Sequence, residues 1–136
     1  KALGIDDKLI QNPNYVRRKG RINGIDCFDN TFFQLSPGEV NMMSPQLRVL
    51  YKGVFQAMED AGVSDGRYND RTGVYMGASD DFIWYQNKLL RNGRFSDTYQ
   101  IYTQSTNHFI ATRISHMFDL KGPSMSILTG CSTSLK

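Results

Sequence analysis

Ser124-Met125-Ser126-Ile127-Leu128-Thr129-Gly130-Cys131-Ser132-Thr133-Ser134-Leu135 is the stretch on which the reading of the fold turns. Its first six residues alternate polar and apolar, as a strand does. Gly130 then permits a sharp turn, and the small residues after it suit the opening of a helix. A cysteine at such a turn projects from the rim of a sheet, where α/β proteins place ligands. Helix N–H groups and the helix dipole aimed at the sulfur would favour the thiolate, which is the nucleophilic form. The Cys131 amide would donate to an oxyanion. A cysteine also serves as a small buried hydrophobe, and the spacing alone leaves both readings open.

Working back from this stretch, Lys121-Gly122-Pro123 breaks the chain, and a helix is predicted over Thr106 to Phe118. Ile110, Ile114, Met117 and Phe118 recur there at helical spacing. Residues 79–105 are rich in aromatics (Phe82, Trp84, Tyr85, Phe95, Tyr99, Tyr102) and broken by Asn92-Gly93. They read as partial helix plus loop, packed on the core or on a partner chain. Thr72 to Gly77 is predicted as a short strand bounded by glycines. The clearest helix begins at Ser44, an N-cap, with Pro45 at the first helical position. Leu47, Leu50, Val54, Ala57 and Ala61 form its expected buried stripe, with Arg48, Lys52, Gln56 and Glu59 facing water. Gly62 ends it as a left-handed cap. The first thirty residues are polar and punctuated by Asn12-Pro13-Asn14, Lys19-Gly20 and Asn23-Gly24, and the basic run Tyr15 to Lys19 reads as a solvated loop face. The order helix, strand, mixed segment, helix, strand implies an α/β architecture.

Composition excludes several classes of function. Of 136 residues 40% are hydrophobic and 21% charged, which argues against disorder or a rod. No apolar run approaches the ~20 residues that span a bilayer, and no secretory signal opens the chain. A net charge of +3, scattered along the sequence, is too small to argue for nucleic acid. The two cysteines, Cys27 and Cys131, lie in unlike contexts and form no disulfide framework. Cys27 has no activating neighbour and reads as structural filling. His108 and His116 are separated by ~80° around a helix, so they would not share a metal.

Six ordered blocks carry a family resemblance. Thr129 to Leu135 resembles the Thr-Ala-Cys-Ser-Ser-Ser-Leu signature of β-ketoacyl synthases, specifically the ketosynthase domains of modular polyketide synthases. Phe28-Asp29-Asn30-Thr31-Phe32-Phe33-Gln34-Leu35-Ser36-Pro37 resembles the family's Phe-Asp-x-x-Phe-Phe-x-x-Ser-Pro block. Met43-Ser44-Pro45-Gln46-Leu47-Arg48 is similar to its Met-Asp-Pro-Gln-Gln-Arg block, with Ser44 where Asp is usual. Ala57 to Gly62, Arg71 to Gly77, and Ala111 to His116 with Leu120 to Ser124 match the helix end, strand and helix–turn–strand between them.

The resemblance implies a thiolase-like fold, layered αβα, of which residues 1–136 hold part of the N-terminal half: a polar lead-in over 1–27 and a core over 28–136. It implies that Cys131 takes an acyl chain from the phosphopantetheine arm of an acyl carrier protein. A malonyl-type extender is then decarboxylated and condensed with that chain. No directly bound cofactor is implied. The implied partners are the carrier protein, other polyketide synthase domains and a second copy of the parent domain, met through the strand Ser124 to Leu128. Neither nucleic acid nor membrane is implied, and the expected location is cytoplasmic. The family's two essential histidines lie well beyond the cysteine, whereas this sequence runs five residues past it. The 136 residues therefore read as an excerpt that would not condense, and would be poorly stable, by itself. Neither His108 nor His116 matches those histidines, and Gly130 replaces the usual Ala. The alternative is a non-catalytic or truncated ketosynthase-like scaffold or interaction chain.

Overall fold

The computed structural model describes residues 6–16, 20, 22–63, 65–67, 69–92 and 95–135. Arg17 to Lys19 of the basic run, and Gly93 of the Asn92-Gly93 break, lie outside them. The helices are α1 (Asp7–Gln11), α2 (Pro37–Met42), α3 (Pro45–Asp60), α4 (Phe82–Asn92), α5 (Phe95–Ser105) and α6 (Ile110–Met117). The strands are β1 (Val74–Met76) and β2 (Ser124–Ser126), paired in parallel with Val74 opposite Ser124 and Met76 opposite Ser126. The helix α6 packs on both strands and on α3, so the core lies between the sheet and α3.

Side-chain caps define where α2 and α3 begin. Ser44 Oγ accepts from the Leu47 N–H at 3.2 Å, and Pro45 occupies the first turn. At the other end Gly62 has φ +68°, the Gly62 N–H bonds Glu59 O and the Val63 N–H bonds Met58 O. That is a Schellman closure. For α2, Ser36 Oγ accepts from the Glu39 N–H while a Glu39 carboxylate oxygen accepts from the Ser36 N–H at 2.8 Å. This capping box holds the Glu39 carboxyl below the ordinary glutamate range, chiefly through the bond from the Ser36 backbone. A carboxylate with a lowered folded pKa stabilises above its unfolded pKa, about 4.3, and that contribution is lost as pH falls through the folded value. Glu39→Gln is accordingly expected to flatten the acid limb of a stability–pH curve, read by urea unfolding.

The buried face of α3 differs from the predicted stripe. Leu47 and Tyr51 are buried, Leu50, Val54, Phe55 and Met58 are half-buried, and Ala57 and Ala61 are exposed. The reason is an aromatic layer from the preceding loop. Phe28 stacks on Phe33 at 4.7 Å, Phe32 meets Phe55 edge-on at 4.8 Å, and Phe33 and Tyr51 both reach Phe118. These rings pull the helix round toward its aromatic side.

Arg48, which the periodicity places in water, is only 8% exposed. Its guanidinium donates to Val40 O at 2.7 Å, Met43 O at 3.2 Å and Asp26 O at 3.3 Å. It thereby ties the end of α2, the start of α3 and the lead-in loop to one group. Arg48→Met is expected to cost about 2 kcal/mol, read as a lower urea midpoint at unchanged slope.

Within residues 79–105, expected to be partial helix plus loop, the structure has two helices, α4 and α5. Asp81 Oδ1 caps α4 by accepting from the Trp84 N–H at 3.1 Å. Trp84 is flanked by Arg48 and Lys88, 5.6 and 4.7 Å from its ring centre, which docks α4 on the α2–α3 corner. Ile101 of α5 is fully buried, while Leu90 of α4 is 84% exposed. Near residue 106 the predicted helix is preceded by a separate 3₁₀ turn, Asn107–Phe109.

Candidate active site

Parallel pairing brings the ends of β1 and β2 out on the same side. Beyond β2 the Ile127 N–H still bonds Met76 O at 2.7 Å, and the two chains then diverge. Between them lies a cleft of about 690 Å³ lined by Tyr75, Gly77, Ala78, Leu128, Cys131 and Thr133 among others. This is the rim position expected for a ligand in an open α/β sheet.

Cys131 is exposed in this cleft among the described residues. It follows Gly130, whose φ of +61° lies in the left-handed region that favours glycine. The segment Gly130–Leu135 is a six-residue 3₁₀ helix rather than the α-helical start expected from the sequence.

Thr133 holds this turn. Its Oγ1 accepts from the Thr129 N–H at 3.1 Å and donates to Gly130 O at 2.8 Å. Ser132 Oγ donates to Thr129 O at 2.9 Å. The main chain leading into Cys131 is thus tied to the side chains one and two residues beyond it. Gly77 gives Thr133 its room: a Cβ there would lie 1.9 Å from Thr133 Cγ2 and 2.8 Å from Ile127 O.

Asn107 forms the third side of the cleft. Its Nδ2 donates to Ala78 O at 2.9 Å, its backbone N–H donates to Asp80 Oδ1 at 2.8 Å, and Ser126 Oγ donates to its carbonyl at 3.3 Å. Ser115 Oγ donates to Ser124 Oγ at 3.0 Å and joins α6 to β2 just below.

The two histidines are not brought to Cys131. His108 lines a separate cavity with Asp80 and Asp81, and His116 lines another with Glu39 and Arg113. Cys27, read from the sequence as filling, is exposed, its carbonyl accepting from Lys52 Nζ at 3.0 Å. Sequence reasoning missed Gly77, Asn107 and Thr133. The Thr at 133, where the resembled signature has Ser, was the one available signal.

The chain matches the family profile "Beta-ketoacyl synthase, N-terminal domain" over residues 1–136. It is 37% identical to a phenolphthiocerol/phthiocerol polyketide synthase polypeptide of Mycobacterium tuberculosis, over 97% of this chain and 9% of that protein. It is 39% identical to the polyketide synthase PksN of Bacillus subtilis, over 99% of this chain and 2% of that protein. Among solved structures, ketosynthase twelve of the bacillaene polyketide synthase from Bacillus amyloliquefaciens superposes with a TM-score of 0.82 at 40% identity, over 97% of this chain and 23% of that one. The module 1 ketosynthase of the bacillaene synthase from the same species gives 0.71 at 37%, over 90% and 21%. The fold is the thiolase-like one of these ketosynthases, and the chain spans a small share of each relative.

Proposed function

The chain belongs to the β-ketoacyl synthase family, and on that premise we propose that it is part of a polyketide synthase ketosynthase whose acyl-accepting nucleophile is Cys131. The observation that carries this reading is an exposed cysteine at a glycine turn, tied by Thr133 and opening on a cleft at the strand ends.

In the proposed reaction the Cys131 thiolate attacks the thioester carbonyl of an acyl chain carried on phosphopantetheine. A new S–C bond forms at Cys131, the carrier's C–S bond breaks, and the carrier sulfur leaves as a thiolate that takes up a proton. A carrier-bound malonyl-type unit then loses CO₂. The electron pair left on its α-carbon attacks the Cys131 thioester, a C–C bond forms and the Cys131 thiolate is released. Thiolate as both attacking and leaving group makes each half easy. The Cys131 amide is the proposed oxyanion donor.

An acyl carrier protein and neighbouring synthase domains are the proposed partners, with a second copy of the domain joined through Ser124 to Leu128. The phosphopantetheine arm is a substrate carrier, residues 1–27 are proposed as a lead-in to a core over 28–136, and a cytoplasmic location is proposed. Among the described residues no helix is long and apolar enough to cross a membrane.

The test uses the complete synthase domain that carries these residues. Incubated with an acyl N-acetylcysteamine thioester, it should gain one acyl mass on the peptide containing Cys131. Labelling confined to Cys27, or no labelling, would sink the reading.

A further inference from the structure

Behind the cleft wall four consecutive residues, where α5 passes into the turn before α6, share an unusual feature. Gln104 Oε1, Ser105 Oγ, Thr106 Oγ1 and Asn107 Oδ1 are each shielded from solvent, and none has a hydrogen-bond partner among the described residues. Gln104 and Ser105 are only 9% and 5% exposed. One isolated buried oxygen costs about 1–3 kcal/mol, so four in succession are not tolerated without a shared partner. All four residues are among those that line a small pocket of about 10 Å³, together with Ser44 and Arg113; Gln104 also borders the cavity that holds His116, and Ser105 and Thr106 the one that holds His108.

Volume and chemistry define what that partner is. The space admits about one water-sized probe. The Gln104 and Asn107 amide oxygens only accept, so an anion is disfavoured. The Arg113 guanidinium in the wall, with its Nε donating to Thr103 O at 3.2 Å, disfavours a cation. A neutral molecule that donates two protons and accepts one fits both amide oxygens and a hydroxyl at once.

We propose that this space holds one structural water shared by residues 104–107, and that Asn107, fixed between that water and Ala78, is a positioning residue for the cleft wall facing Cys131. The orientation of the Asn107 amide is set from the other side, because its Nδ2 already donates to Ala78 O. Its Oδ1 is buried and left without a partner among the described residues, and Asn107 borders the small pocket. The same residue lines the Cys131 cleft, so the water supports the cleft from behind. The water site stands independently; its effect on Cys131 rests on the function proposed above.

A high-resolution crystal structure of the complete domain tests the first part. One ordered water within hydrogen-bonding distance of at least two of the four oxygens is expected. A dry space, or oxygens paired with one another, would overturn the proposal. Thioester acylation tests the second part. Gln104→Leu, which keeps shape and loses an acceptor, and Asn107→Ala should slow acylation of Cys131 about tenfold with the half-saturating thioester concentration unchanged. Equal rates in both variants, or a rise in half-saturation with no change in rate, would remove the positioning role. An unlabelled wild-type domain that still holds the water would end the link to Cys131 and leave the water site standing.

Discussion

Replacing Cys131 by alanine in the complete domain is expected to abolish acyl uptake and lower condensation by roughly 10⁴-fold or more, at unchanged stability. The cysteine is exposed at the cleft among the described residues, so its loss leaves their packing in place. No other cysteine among the residues lining the cleft can substitute, because Cys27 lies on the lead-in loop beside Lys52. Cys131→Ser separates nucleophilicity from shape: the hydroxyl fits the same turn and is a far weaker nucleophile at neutral pH. Acylation within a few-fold of wild type in either variant would show that another residue accepts the chain, and the cleft would need a different chemistry.

The family blocks were legible because each performs a local physical task. Met43-Ser44-Pro45 reads as a helix start from the cap and the proline alone, and the structure has that start. Gly62 reads as a helix stop, and the left-handed φ is there. Alternation over Ser124 to Thr129 reads as a strand, although only Ser124 to Ser126 pair fully and one more bond runs from Ile127. What escaped the sequence were long-range contacts. Arg48 is charged and lies off the apolar stripe, so periodicity sends it to water. Only the three carbonyls that converge on it, from Asp26, Val40 and Met43, explain its burial. Ala57 and Ala61 fail as core positions for the complementary reason, since Phe32 and Phe33 arrive from another segment and rotate the buried face.

The site divides the same way. The place of Cys131 at the turn after β2 was legible, because alternation stops at a glycine just before it. Gly77, Asn107 and Thr133 were not, because each matters through a partner distant in the sequence or through a methyl fitted against a hydrogen atom. Position 133 also shows how two departures from the family signature belong together. Gly130 replaces Ala and takes φ +61°, while Thr133 replaces Ser and bonds the Gly130 carbonyl. The added backbone freedom at 130 is met by a restraint three residues on.

That fit makes Gly77→Ala a strongly damaging small substitution. The new Cβ would lie 1.9 Å from Thr133 Cγ2 and 2.8 Å from Ile127 O, closer than such atoms approach, so either β1 or the Cys131 turn must move. Overpacking of this kind costs about 3 kcal/mol, a large fraction of the roughly 5–15 kcal/mol that holds a domain together. Since the displaced turn carries Cys131, acylation should fall with stability. Thr133→Ser removes Cγ2 and keeps both hydroxyl bonds, and is expected to be nearly neutral alone. Combined with Gly77→Ala it should recover about 1–2 kcal/mol and part of the acylation rate, recovery being incomplete because the Ile127 carbonyl contact persists. Thr133→Val, which keeps the Cγ2 methyl and puts a second methyl in place of the hydroxyl, should slow acylation without rescuing Gly77→Ala. Urea midpoints and thioester acylation rates of these variants decide the matter. A Gly77→Ala protein as stable as wild type, or a double variant no better than Gly77→Ala alone, would mean that the turn is not held against β1 by this contact.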